Sequence, residues 1–426
     1  MKKLLFATLG VSMAVLMTAC KNKGKYEEYK PSMDKETSCN IKIVGSYDNF
    51  EALETEFDRF NEYYPKVNLS YVKLDDYNNT LSTVLDGNDK PNIFFSYTWT
   101  MDNEKYSSVV SHMEDLSSSN LSKNLNCIRP GLINHDSEGK VLMVPVFSRT
   151  YGMLVNNDLF KKEKIEVPTK LNDLLSACNS LSEKGYKSPM MGYTEKSSSC
   201  LMNTIAYPLF IAELAKNKEA LDKANNLDPS AGEYMRGALE KVDELMKSKC
   251  IDINECDNIK DNYGKVILRF FEGDVPMMIC TADTASGTKK RESQSEAFTK
   301  NPFNYSFYPI PLTDKGGYFI DSPSIEFSVN KDCDNLDMTN EFMKFLITNE
   351  ELNNMASNKG LLTPTKAVSF DSIYASFGKI SQDYTISPEV LGIKDQLTVQ
   401  IRVAAFKVGR GELTIDEAIA KYGTFE

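Results

Sequence analysis

Trp99, the single tryptophan of this 426-residue chain, follows Tyr97 by two places at the end of a short β-rich run, and Tyr47 and Asp48 end another. Such residues hold ligands rather than break bonds, since ring faces stack and a carboxylate accepts hydrogen bonds. Asp48 also has a structural role open to it: with Glu51 three residues on, it reads as a capping box for a helix start. Tyr97 has one too, because alternate strand side chains enter the core. Residues that catalyse or bind metals are scarcer. His112 and His135 are the only 2 histidines, and no pair sits at metal-ligand spacing. The chain lacks the G-x-S-x-G elbow, the G-x-x-x-x-G-K-[ST] loop, the G-x-G-x-x-G fingerprint and any C-x-x-C. Residues 252–264 are acidic but lack the ligand order of a calcium loop. No metal or cofactor is expected. Paired carboxylates facing each other across a cleft stay open, because sequence alone does not show which Asp and Glu meet.

Periodicity gives the elements that must position these residues. Residues 41–46 read as a strand, and Leu53, Phe57, Phe60 and Tyr64 place one apolar face on a helix that Pro65 ends. A strand at 67–74, a helix at 76–86 and a strand at 92–97 follow. That alternation predicts a parallel sheet with right-handed crossovers, whose ligands bind at the carboxyl ends of its strands. Tyr47, Asp48, Tyr97 and Trp99 all stand at such ends. Farther on, 140–146 and 153–155 read as strands, and 171–181, 204–216, 234–247 and 341–354 as helices. Residues 284–300 read as a polar loop, and Thr414 with Glu417 caps a last helix.

With 41% apolar and 26% charged residues the body has a globular composition, and its length exceeds one compact core, so two lobes are expected. A net charge of −11 argues against nucleic acid or anionic lipid as the main partner. Lys2 and Lys3 precede an apolar run at 4–17, closed by Met17-Thr18-Ala19-Cys20. This reads as a signal peptide over 1–19. Cys20 resembles the acylated cysteine of a bacterial lipoprotein signal, which implies a lipid anchor on the outer side of the cell membrane. Residues 20–38 read as a flexible tether. Eight further cysteines either pair in an oxidising exterior, with Cys250 and Cys256 the best candidates, or stay reduced. Cys178 and Cys280 sit in apolar runs and read as small buried hydrophobes.

Four stretches in order carry a family resemblance. They are Asp86-Gly87-Asn88-Asp89-Lys90-Pro91-Asn92-Ile93-Phe94; Gly139 to Pro145 with Met153-Leu154-Val155-Asn156-Asn157-Asp158-Leu159-Phe160; Phe271-Glu272-Gly273-Asp274-Val275-Pro276-Met277-Met278; and Gly360-Leu361-Leu362-Thr363-Pro364. The chain resembles the carbohydrate-type, maltose-binding-protein-like solute-binding proteins of bacterial ABC importers. The resemblance implies a two-lobe α/β fold, each lobe a mainly parallel sheet flanked by helices, with hinge strands crossing near Val146, Cys280 and Ile325. One lobe would then hold 39–145 plus 281–324, and the other 146–280 plus 325–426. It also implies that Arg149 and Tyr151 after the first crossing, Asp283 after the second and Asp321 and Ser322 beside the third join Tyr47, Asp48, Tyr97 and Trp99 around a ligand. Asp283 has a helix cap as its other reading. The implied ligand is a carbohydrate, an oligosaccharide by preference, held by a monomer without bond-breaking and passed to membrane permease subunits. An exported carbohydrate-active enzyme, a binder of a peptide, polyamine or anion, and an adhesin are the rival readings.

Overall fold

The computed structural model describes residues 28–101, 103–118, 120–261, 263–366 and 372–426. The expected signal peptide and Cys20 lie outside the described residues. In chain order the strands are β1 (Cys39–Gly45), β2 (Val67–Lys73), β3 (Ile93–Ser96), β4 (Val144–Pro145), β5 (Ser148–Arg149), β6 (Tyr151–Asn156) and β7 (Met190–Gly192). Then come β8 (Met277–Thr281), β9 (Tyr305–Tyr308), β10 (Phe319–Ile320), β11 (Ser322–Pro323), β12 (Glu326–Val329) and β13 (Thr385–Ile386).

Apolar residues separate into two cores, each wrapped around one sheet. The first sheet runs β2-β1-β3-β12-β4, with β1 parallel to both β2 and β3 as the alternation of elements predicts. Its last two strands are antiparallel to their neighbours, because they leave for the other lobe and return from it. The second sheet runs β7-β8-β6-β9, with β7 and β8 parallel and β6 antiparallel to both β8 and β9. The first core holds Ile41 to Phe147 and Ile325 to Leu361; the second holds Met153 to Ile320 and Leu362 to Tyr422. The expected boundaries are therefore corrected. Residues 281–324 stay in the second lobe, because β8 and β9 both pair with β6. Residues 325–361 belong to the first, because β12 pairs with β3 and β4. The chain crosses near Phe147, near Ser324 and near Leu361, and not at Cys280.

Local expectations fare unevenly. The helix Glu51–Asn61 buries Leu53, Phe57 and Phe60 as their spacing requires, but Phe50 stands at its N-cap with no side-chain cap. Asp48 instead pairs with Lys73 at 2.8 Å, at the end of β2. Thr414 and Glu417 do form the capping box of the helix Ile415–Ala420. The supposed loop at 284–300 folds into the short helices Thr288–Glu292 and Glu296–Lys300, held down by Phe298, whose ring lies 4.4 Å from that of Phe271. The helix expected at 341–354 is two, Leu336–Leu346 and Asn349–Lys359, because Thr348 caps a new start. Residues 29–32, expected within the tether, are held to the body instead. Tyr29 Oη and the Ser32 amide both donate to Glu341 Oε1, at 2.8 and 2.9 Å, which fixes this stretch to the first lobe. Cys250 and Cys256 are both free thiols, and Cys178 and Cys280 are buried as expected.

Arg129 joins all three crossings. Its Nε and Nη2 donate to the two oxygens of Asp321 at 2.7 and 2.8 Å. Nη2 also donates to Ser148 Oγ at 2.8 Å, and Nη1 donates to the carbonyls of Thr363 and Thr365 at 2.7 and 2.9 Å. Every N–H of the guanidinium is used, in the planar fork that suits a carboxylate. Removing one partner of a buried pair leaves an uncompensated charge. Asp321→Ala is therefore expected to lower the unfolding free energy by about 3–5 kcal/mol in urea titrations. A loss under about 1 kcal/mol, the scale of an exposed pair, would show that the hinge does not rely on it.

Candidate functional site

A cavity of about 490 Å³ opens where the crossings meet, and both lobes line it. Its size falls in the range of small-molecule sites. From the first lobe, β3 ends at Ser96 and turns through Thr98–Thr100, which delivers Tyr97, Thr98 and Trp99 to the wall. The rings of Tyr97 and Trp99 stack with centroids 5.8 Å apart and planes at 18°. Tyr106 meets Trp99 edge-to-face at 5.1 Å, yet the indole stays 36% exposed and lines the cavity.

The crossings form the floor. β5 and β11 pair antiparallel with Ser322 opposite Arg149, and both residues line the cavity. Glu326, on β12 opposite Ser96, lines it too, and its Oε2 accepts from Thr98 Oγ1 at 2.8 Å. The second lobe closes the far side. Tyr151 begins β6 and packs against Tyr207 with centroids 5.3 Å apart, and Asn203 shares Tyr207's helix, Leu201–Leu214. The C-terminal helices Pro388–Leu391 and Asp395–Gly409 add Glu389, Asp395 and Arg402.

Three side-chain oxygens on this wall are buried without a hydrogen-bond partner: Glu326 Oε1, Glu389 Oε2 and Asn203 Oδ1. A buried acceptor left unmet costs about 1–3 kcal/mol, so an arrangement with three at one place suits a ligand rich in donors. Burial pushes the Glu326 carboxyl up to about 7, against the pull of Thr98 and Arg149. Burial likewise lifts Glu389 to about 8, helped by the nearby Glu326 charge and opposed by its own backbone hydrogen bond and by Arg149. Burial works against the Arg149 charge, and Asp283, Tyr151 and Glu389 outweigh it, so its pKa stands above the usual guanidinium value.

Of the nine residues named from sequence, Tyr97, Trp99, Arg149, Tyr151 and Ser322 come together on this cavity. Asp283 lies in an adjoining pocket of about 40 Å³ that shares Arg149, Tyr151 and Ser322. Its Oδ1 accepts from Ser324 Oγ at 2.6 Å, and the helix it was expected to cap is capped by Thr281. The structure does not bring the other three to the wall. Asp321 is committed to Arg129, and Asp48 to Lys73. Tyr47 packs on Phe50 and Phe95 under the Lys359 ammonium, 4.1 Å from the ring centre. Sequence reasoning missed Glu326, Glu389, Asp395 and Arg402. Only Glu326 left a signal, a lone acid in the apolar run at 325–329.

Unfolded, the two glutamates ionise near 4.5, whereas folded they keep their protons to about 7 and 8. Between those values the folded state binds more protons, so their contribution to stability falls as pH rises from about 4.5 to 8. The double variant Glu326→Gln, Glu389→Gln cannot titrate there. Its melting temperature is expected to fall less than that of the parent between pH 5 and pH 9; parallel curves would refute the shifts.

A family model described as "Bacterial extracellular solute-binding protein" matches residues 45–352. The chain is 22% identical over 321 residues to the melibiose/raffinose/stachyose-binding protein of Bacillus subtilis (strain 168), covering 74% of this chain and 70% of that protein. The fold matches the apo form of RafE from Streptococcus pneumoniae at 17% identity with a TM-score of 0.68, covering 92% of this chain and 98% of that one. It also matches a sugar transporter from Bacillus licheniformis in complex with stachyose, with a TM-score of 0.62 at 17% identity, covering 90% and 98% of the two chains. With its two α/β lobes around one lined cavity, this chain belongs to the bacterial extracellular solute-binding proteins.

Proposed function

We propose that this protein captures an oligosaccharide between its lobes and delivers it to the membrane permease of an ABC importer. The observation that carries the reading is the cavity wall itself: stacked rings from the first lobe share it with unpaired polar oxygens from both lobes. A sugar offers hydroxyl edges to such arms and flat C–H faces to such rings. The relatives support the same class, because one is named for melibiose, raffinose and stachyose and one solved structure holds stachyose. Contacts from both lobes form together only when the cleft is shut, so ligand shifts the population toward the closed form. Moving that balance from 1:99 to 99:1 takes about 5.5 kcal/mol of differential affinity.

Tyr97, Trp99, Arg149, Tyr151, Ser322 and Asp283 are the binding residues in this reading. Glu326, Glu389 and Arg402 join them. The protein acts as a monomer without a cofactor, held to the membrane by acyl chains on Cys20. One observation keeps a glycoside-cleaving reading in view: two carboxyls, Glu326 and Glu389, each with a buried unpartnered oxygen, line one cleft. Turnover of a chromogenic glycoside would establish it in place of capture.

Ligands that bind the native state raise its melting temperature, so a panel of oligosaccharides screened by thermal shift tests the reading directly. No stabilisation by any sugar would sink it. Trp99→Ala is expected to weaken binding of the stabilising sugar by about 1–3 kcal/mol in calorimetry while leaving the melting temperature of the free protein close to the parent's. Unchanged affinity would remove Trp99 from the site. Cys20→Ser is expected to release the protein from the membrane fraction, and retention there would exclude acylation at that residue.

A further inference from the structure

The cleft carries more acid than base. Glu326, Glu389 and Asp395 line the main cavity and Asp283 the adjoining pocket, against Arg149 and Arg402. Some of this acid is already occupied. Glu326 Oε2 accepts from Thr98, Asp283 Oδ1 from Ser324 at 2.6 Å, and Asp395 Oδ1 from Thr398 at 3.2 Å. What remains is Glu326 Oε1 and Glu389 Oε2, both buried and without a partner, on a wall that also presents the rings of Tyr97, Trp99, Tyr151 and Tyr207. Glu326 is 1% exposed.

Ligand chemistry follows from what these groups lack. A sugar hydroxyl gives one hydrogen, and its oxygen wants a donor in return. An ammonium gives three hydrogens, accepts none, and brings the positive charge that lets these two carboxyls give up their protons and ionise. Aromatic faces add a cation–π attraction that a hydroxyl does not gain. Both carboxyls line one cavity, and the Glu326 charge is among the causes that raise Glu389, which fits one shared guest.

We infer that the cleft selects a saccharide bearing a free, protonated amine, seated so that its ammonium donates to Glu326 Oε1 and Glu389 Oε2. The inference rests on the carbohydrate-capture reading and narrows it to amino sugars whose nitrogen is not acetylated. Arg149 and Arg402 then take hydroxyl or ring oxygens on the remaining edges, because neither guanidinium is joined to a carboxylate by an ion pair among the described residues.

The test is calorimetry on the purified protein at pH 7 with matched sets differing at one position: glucosamine and galactosamine mono- and oligosaccharides, their N-acetylated forms, and their hydroxyl counterparts, with raffinose and stachyose as neutral references. An amine-bearing member is expected to bind at least tenfold more tightly than both of its matched counterparts. Glu326→Gln, Glu389→Gln is expected to abolish that lead, so that the amine-bearing member binds no more tightly than its matched counterparts. The single variant Glu389→Gln should narrow the lead, and thermal unfolding without ligand shows whether each variant is folded. Equal or tighter binding of a neutral or acetylated sugar overturns the amine inference and leaves carbohydrate capture standing, the two carboxyls then serving as protonated donors. Absence of binding across every set overturns both.

Discussion

One guanidinium sets the geometry on which the rest depends. Arg129 belongs to the first lobe, and its five donors reach Ser148, Asp321, Thr363 and Thr365, one or more residues from each place where the chain changes lobes. Without such a tie, three short connections between two separately cored bodies would drift independently, and the residues they carry would not converge. With it, β5 and β11 lie side by side, and Arg149 and Ser322 occupy a common floor. The charge is tolerated because the fork is fully answered: two carboxylate oxygens, two carbonyls and a hydroxyl. A lysine in that place would offer a point charge and three donors, which cannot serve all three crossings at once.

Polar networks anchor the first core: Asn92 bridges Lys42, Asp334 and Thr339, and Glu341 gathers Tyr29, Ser32 and Tyr64. On the cleft wall, Glu326, Glu389 and Asn203 each leave an oxygen unmet. Folding alone gains nothing from that, and local departures from satisfied packing are where function is found. Phe95, Phe147 and Phe327, each next or next but one in the chain to a wall residue, cluster with Phe50, with Phe95 and Phe327 stacked at 5.6 Å between centroids and Phe50 edge-on to Phe95. This packing anchors the strand ends that carry Tyr97 and Glu326.

How much of this the sequence discloses depends on how local the cause is. Trp99 and Tyr97 are legible because strand β3 and its neighbours follow ordinary periodicity, and the strand's end points at the cleft. Arg149, Tyr151 and Ser322 are legible only through the family pattern of crossings. The lobe boundary at Cys280 is misread for a physical reason. An apolar run such as 275–280 looks the same whether the strand leaves the lobe or lies inside its sheet, and only the pairing of β8 with β6 and β7 decides. Glu389 and Arg402 are illegible because no local signal marks them. They reach the cleft because β13 pairs with β10 and because Ser387 Oγ donates across the lobes to the Gly131 carbonyl at 2.5 Å. That approach requires glycine, since a Cβ at Gly131 would stand 2.5 Å from the same oxygen.

These contacts also say which lobe carries each part of the site. Arg149 and Ser322 lie on the strand pair between the lobes, beside the Arg129 tie to Ser148 and Asp321, whereas Glu326 pairs with Ser96 on β3 and belongs with Tyr97. Tyr97 and Trp99 travel with the first lobe, and Tyr207 and Arg402 with the second. Glu389 stands between the two: its short helix belongs to the second lobe, and Ser387 ties that helix's start to Gly131 of the first. The two glutamates thus reach the cleft from different lobes, as the rings do, so the wall is complete only where the lobes meet.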